Sequence, residues 1–264
     1  MSVEVPIKPI LTLENASRHF SGVVALDSID LAAFPGEVHC LLGDNGAGKS
    51  TLIKLLSGVH SLSSGSLTFE GQRHVLSSPR EAQALGIATV HQDAAAIPLM
   101  SVSKNFFLGV EPTVGRGLLR RTDTKRANRV ALEQIHAMGI TRVTDPDQLV
   151  GTLSGGERQA LAIARASYFG AKVLILDEPT SALGVKESSV VLRQIKASKR
   201  SGIAVIFITH NATHAIAVGD RFTVLIQGRV ADAFRKGERT RNQILDLMAG
   251  GDLEAELFDR TAQE

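Results

Sequence analysis

Residues 43 to 50 read Gly43-Asp44-Asn45-Gly46-Ala47-Gly48-Lys49-Ser50, and the reading of this octapeptide decides the fold. Its glycines permit backbone conformations closed to other residues, and a Lys-Ser pair ends the run. The flanking sequence supplies the setting. Val38 to Leu42 is an apolar stretch, broken only by His39, that suits a buried strand, whereas Gly48 to Ser57 places Leu52, Leu55 and Leu56 at i, i+3, i+4 spacing before Gly58 stops the helix. A strand, a glycine loop and a helix in that order are the context that a G-x-x-x-x-G-K-[ST] phosphate loop requires. In such a loop the backbone N–H groups of Gly43 to Thr51 turn inward around phosphate oxygens at the positive end of a helix. Lys49 reaches the β and γ phosphates of a nucleotide, and Ser50 is the expected Mg²⁺ ligand.

Working outward, Ile10 to Leu13 and Val23 to Leu31 are β-type runs, and Pro35-Gly36 is a tight turn, so antiparallel strands are expected to feed the buried strand. From about residue 93 to 165 strand signals fade, and Thr124 to Met138 sets Ala127, Val130, Ala131, Ile135 and Met138 on one helical stripe, which marks a helical insertion. Beyond it, Val173 to Leu176 and Ile203 to Ile208 are apolar without alternation, as in parallel strands buried on both faces, with helical sequence from Lys186 to Lys199 between them. Phe222 to Ile226 and Arg229 to Ala233 flank Gln227-Gly228 as a hairpin, and Ile244 to Met248 suggests a last helix.

Composition narrows the function classes. The 264 residues are 44% apolar, enough for a sizeable core. Lys and Arg total 29 against 27 Asp and Glu, so the balance makes no case for a nucleic-acid partner, and none is expected. The single cysteine, Cys40, sits in the apolar run before the loop, where a core role is expected, and it can form no intrachain disulfide. The opening MSVEVPIKPI lacks the features of a secretory leader, so no export is expected. No apolar run approaches the roughly 20 residues that span a bilayer, which leaves any membrane role to partners.

Two further motifs carry chemistry. The strand Val173 to Leu176 ends in Asp177-Glu178, delivering two carboxylates to the ligand edge of a sheet. Asp177 is placed to support Mg²⁺ through coordinated water, and Glu178 to activate an attacking water. Leu153-Ser154-Gly155-Gly156-Glu157-Arg158-Gln159 opens onto the helical run Ala160 to Ala166, and Ser154, Gly155 and Gly156 there make a second anion site suited to a γ-phosphate.

That heptapeptide, between a phosphate loop and a Walker B strand, resembles the signature of ABC-family ATPases, and the resemblance covers nearly the whole chain. It implies an α/β fold of the P-loop NTPase class and ABC type: one domain over residues 1–264, with a mainly parallel core sheet, an antiparallel β subdomain and a helical subdomain at about 93–165. It implies ATP and Mg²⁺ as ligands. Phe20 then matches the aromatic that stacks on adenine, Gln92 the Q-loop glutamine that senses Mg²⁺ and water, and His210 the switch histidine at the γ-phosphate. His91 and the other histidines are read as structural or exposed. One departure is Gly184 after Ser181-Ala182-Leu183, where the family commonly has Asp.

Since the family's site sets the loop of one chain against the signature of another, a second copy of the subunit is implied, with Ser154, Gly155 and Gly156 acting in trans. The stretches Ala182 to Ser188, Gly202 to His210 and Met248 to Gly251 look like monosaccharide importers of the ribose, xylose and fructose type. This implies two transmembrane permease subunits, indirectly an extracellular sugar-binding protein, and a cytoplasmic location at the inner face of the cell membrane. An ABC ATPase for another cargo, one without a permease, and a P-loop small-molecule kinase are the competing readings.

Overall fold

Every residue of Val38–Leu42 is buried, and this strand is the hinge of the architecture. The computed structural model describes residues 7–92, 96–137 and 140–250. Residues 1–6 of the opening stretch, Met138 of the expected stripe and Gly251 of the terminal run lie outside the described residues. The chain divides into two compact units. The first holds residues up to Thr89, Ala171–Glu178 and those from Ser198 onward, and the second holds Val90–Gly170 and Pro179–Ala197.

The chain begins with β1 (Leu11–Phe20), β2 (Val23–Ala33) and the buried β3 (Val38–Leu42), then α1 (Lys49–Leu56). Next come β4 (Ser64–Phe69), β5 (Gln72–His74), α2 (Pro79–Leu85) and β6 (Ile87–Val90). The second unit contributes α3 (Val102–Phe107), a short hairpin of β7 (Thr113–Val114) and β8 (Arg121–Thr122), α4 (Thr124–Ala137) and α5 (Gly155–Tyr168). After β9 (Val173–Asp177), α6 (Val185–Arg200) carries the chain from the second unit back into the first. There β10 (Ala204–Ile208), α7 (Ala212–Val218), β11 (Arg221–Ile226), β12 (Arg229–Arg235) and α8 (Arg241–Met248) complete it.

Two sheets form the first unit. One is antiparallel in the order β2-β1-β4-β5, and the other runs β12-β11-β3-β10-β9-β6. In the latter, β11, β3, β10 and β9 are mutually parallel neighbours, and β12 pairs antiparallel with β11 through a hairpin whose Gln227 and Gly228 both have positive φ. The composition of β3 and β10 follows from this: strands covered on both faces have no polar side to show, so β10 is purely apolar, and the single polar residue of β3, His39, is buried with both ring nitrogens within hydrogen-bond distance of Ala32 and Thr223. Leu52, Ile53, Leu55 and Leu56 of α1 join Leu11, Leu26, Ile175 and Ile206 in one core. Each such side chain contributes roughly 1.5–3 kcal/mol on burial.

The second unit has its own core. Phe106 and Phe107 of α3, Ala127, Ala131 and Ile135 of α4, and Ala160, Leu161 and Ala164 of α5 pack together, with Val130 partly buried against them. Three of the expected stripe positions are therefore core.

The elements differ from expectation in several places, among them α7, which was not expected, and α8, which begins at Arg241 rather than Ile244. β1 continues past Leu13 to Phe20, because register shifts against β2 let a strand with polar Glu14, Asn15 and Arg18 stay paired. The β4–β5 hairpin and α2 were not expected, their short runs being mostly polar. The β7–β8 hairpin interrupts the helical stretch, with only two residues per strand and no apolar alternation to announce it.

Candidate functional site

The carboxyl ends of three adjacent parallel strands gather the chemistry of the first unit. Ile208 of β10 is in register with Leu41 of β3 on one side and with Asp177 of β9 on the other. The residues that follow each strand therefore emerge together: the loop from Gly43, Thr209-His210, and Glu178. Ligands of open α/β sheets bind at this edge.

The loop is held by packing as well as by glycine freedom. A side chain at Gly43 would bring its Cβ within 2.4 Å of the Leu225 carbonyl oxygen, and one at Gly48, where φ is 102°, within 2.8 Å of Leu26 Cδ2. The β11–β12 turn braces the loop: Gly228 N–H donates to the Ala47 carbonyl at 3.0 Å, while its own carbonyl accepts from Asp27 at 2.8 Å. Gly228 was missed in the sequence, where only its turn propensity was visible. Asp44 Oδ1 accepts from Asn45 N–H, and Gly46 is exposed at the loop tip with φ of 84°. The first turn of α1 has no side-chain cap, so its amides are presented to a ligand rather than to a neighbouring hydroxyl.

Lys49 is buried, and its Nζ donates to the carbonyls of Gly43 (2.6 Å) and Asp44 (3.0 Å). Burial lowers its pKa from the ordinary lysine value, while the nearby charges of Glu178, Asp44 and Asp177 oppose that shift. Such an ammonium, curled over the loop and facing carboxylates, is well matched to a polyanion that would replace those carbonyls.

Glu178 follows Asp177 with φ of 47°, a left-handed conformation rare outside glycine, so its side chain departs from the line of the strand. Its Oε1 accepts from the backbone N–H of His210 at 2.9 Å and from His210 Nδ1, also at 2.9 Å. An ionised carboxylate can only accept, so Nδ1 carries the proton and Nε2 is the ring atom left for a ligand. The oxygen-only set of Ser50, exposed at the head of α1, and Asp177, at the end of β9, suits Mg²⁺. Among the described residues no group of three or more His, Cys, Asp or Glu side chains could hold a metal unaided.

Phe20 ends β1, half-buried beside the Ser21-Gly22 turn. The ring of His60, from the loop after α1, meets it edge-on with centroids 5.1 Å apart. His60 was among the histidines given no role. Cys40 is buried, and its thiol is pushed up by burial, as expected of a core residue.

The remaining candidates lie in the second unit. Ser154 caps α5 in a reciprocal box: its Oγ accepts from Glu157 N–H, and Glu157 Oε2 accepts from Ser154 N–H at 2.8 Å. The hydroxyl proton stays available for donation. At Gly156 a Cβ would lie 2.8 Å from the Glu187 carbonyl oxygen. Gln159, also buried, donates through Nε2 to the carbonyls of His91 and Gln92, tying the expected Q-loop residue to the signature helix. Gln92 itself is exposed. Gly184 lies outside the left-handed region, just before α6.

With this geometry established, comparison with known proteins is informative. The ABC transporter family matches residues 26–181. The xylose/arabinose import ATP-binding protein XylG of Sulfolobus acidocaldarius is 40% identical over 90% of this chain and 93% of that protein. The fructose import ATP-binding protein FrcA of Rhizobium meliloti is 39% identical over 92% of this chain and 95% of its own length. In fold, an ATP-binding cassette of an ABC transporter in its ADP conformation superposes with a TM-score of 0.78 at 22% identity, covering 94% of this chain and 97% of that one. A phosphate loop, a carboxylate pair and a histidine at one sheet edge, together with these matches, establish that the chain belongs to the ABC transporter family of ATP-binding proteins.

Proposed function

We propose that the two units form one ABC ATPase domain, that two copies bind ATP between them, and that hydrolysis powers import of a monosaccharide through a pair of permease subunits at the inner face of the cell membrane. The observation that carries the reading is the meeting of Lys49, Glu178 and His210 at one edge of the parallel sheet. Residues Gly43 to Thr51 cradle the phosphates, Phe20 stacks on adenine, and Ser154, Gly155 and Gly156 of a second copy close on the γ-phosphate. Glu178 takes the proton of the attacking water, His210 is assigned the γ-phosphate, and Gln92 is assigned the sensing of Mg²⁺ and water. Ser50, Gln92 and, through water, Asp177 would hold Mg²⁺, which would supply neutralisation of phosphate charge. Among the described residues no helix is long and apolar enough to cross a membrane, so permease subunits supply the passage and an extracellular sugar-binding protein supplies the cargo. The sugar reading is supported by the relatives named for xylose, arabinose and fructose import.

Phosphate release from Mg²⁺-ATP by the purified chain tests the enzymatic part. Lys49→Ala should reduce it to background, and undiminished turnover would remove the loop from the reaction. Uptake of radiolabelled xylose, ribose and fructose by cells lacking the chain tests the cargo. Loss of one of these, restored by the wild-type gene but not by the Lys49 variant, is the expected result.

A further inference from the structure

Arg18 is absent from every motif above. Arg18 and Phe20 are two apart on β1 and so share a face of the strand. The Arg18 guanidinium carbon lies 4.5 Å from the centre of the Phe20 ring, stacked over it. Arg18 is anchored rather than adrift: Nη1 donates to the Ser61 carbonyl at 2.9 Å. Ser61 adjoins His60, whose ring meets Phe20 edge-on, and His60 N–H donates to the Lys54 carbonyl of α1 at 2.9 Å. One chain of contacts therefore runs from the helix behind the phosphate loop, through residues 60 and 61, to Arg18 and Phe20.

Phe20 is half-buried, with His60 at its edge and Arg18 over its face, and a ring already held in orientation loses less affinity for a stacked base to the ordering that binding requires. A guanidinium is planar, always charged, and attracted to the negative face of a ring. We propose that Arg18 is a positioning residue for nucleotide recognition. It covers one face of Phe20 so that the other is presented to adenine, giving a guanidinium–phenyl–base stack. This rests on Phe20 being the adenine platform, and it adds a requirement that platform alone does not carry.

The test compares Arg18→Ala, Arg18→Lys and Phe20→Ala in the full chain, measuring equilibrium binding of Mg²⁺-ATP and of inorganic triphosphate, which has no base. Arg18→Ala should weaken ATP about three- to tenfold while leaving triphosphate unchanged, and Arg18→Lys should recover part of the loss because a cation is restored without the planar fork. Phe20→Ala should weaken ATP at least as much, again without effect on triphosphate. Equal losses for ATP and triphosphate in Arg18→Ala would reduce Arg18 to a structural role and overturn the proposal. So would tighter ATP binding, which would mean that Arg18 occupies the face the base needs. Wild-type ATP affinity in Arg18→Ala with weakened binding in Phe20→Ala would overturn the role of Arg18 alone, whereas wild-type affinity in Phe20→Ala would overturn the platform and the inference with it.

Discussion

Glu178 Oε1 accepts hydrogen bonds from both the backbone N–H and the Nδ1 of His210, each at 2.9 Å. The two residues are 32 positions apart and are brought together by the in-register pairing of β9 with β10. One contact is to backbone and indifferent to side-chain identity, while the other is to the ring. The carboxylate is thus fixed in place by the strand that delivers the histidine, and the histidine tautomer is fixed by the carboxylate.

Glu178→Gln separates positioning from basicity. The amide oxygen can still accept from the His210 N–H, so the fold of the site should persist, but the group no longer takes a proton from water. Hydrolysis is expected to slow at least ~100-fold, about 2.7 kcal/mol of barrier, with ATP binding retained. Single-turnover phosphate release and nucleotide retention check this together. Wild-type turnover would remove Glu178 from the chemistry.

Gly184→Asp should be tolerated. Gly184 N–H already donates to Glu187 Oε2 at 3.2 Å, half of a capping box at the head of α6, and a Cβ there would meet only that same oxygen at 3.9 Å. With no left-handed φ to strain, an aspartate could accept from the helix amides and complete the box, worth a few tenths of a kcal/mol over glycine. Thermal unfolding and ATP titration should show equal or slightly raised stability and unchanged affinity. A large loss of either would show that this turn needs glycine for a reason outside its cap.

His39 should make stability pH-dependent. Its Nδ1 lies 2.9 Å from the Ala32 carbonyl and its Nε2 2.8 Å from Thr223 Oγ1, an arrangement satisfied by the neutral ring, and burial lowers its pKa. A folded value below the unfolded ~6.5 means that the unfolded chain binds the extra proton first, so the contribution is present above about pH 6.5 and is lost as pH falls below it. His214 is shifted the same way, chiefly by burial and then by the charge of His210, so it adds to the slope. Denaturant unfolding at pH 7.5, 6.5 and 5.5 should show a decline of up to ~1.4 kcal/mol per pH unit from His39, and His39→Gln should flatten it. Parallel slopes in the two proteins would show that His39 does not titrate on unfolding.

Most of the fold was legible because buried parallel strands and phosphate loops leave unambiguous sequence. Val38 to Leu42 was legible as a buried strand despite His39, and β3 occupies that very range. The carboxylate pair and the histidine were legible as residues, but not their mutual contact, since strand order is a tertiary property and nothing local says that β10 lies between β3 and β9. The supports were less visible still. Gly228 braces the loop through backbone atoms alone, and Gln159 reaches the Gln92 carbonyl from 67 residues away. Arg18 is a lone cation on a half-polar strand, and its value comes from a neighbour two positions along and a carbonyl 43 residues distant.

The central claim, an ATP site shared between two copies, is tested most directly by mixing two inactive variants. Lys49→Ala disables the loop. Ser154→Asp keeps a good helix cap but sets a negative charge where the partner's γ-phosphate would arrive. Each alone should be inactive. In a one-to-one mixture half of the dimers combine the two variants, and each of these holds one site built from an intact loop and an intact signature. Phosphate release should therefore recover to about a quarter of the wild-type rate under random pairing. No recovery, with both variants folded and the Ser154 variant still binding ATP, would contradict a site shared between subunits.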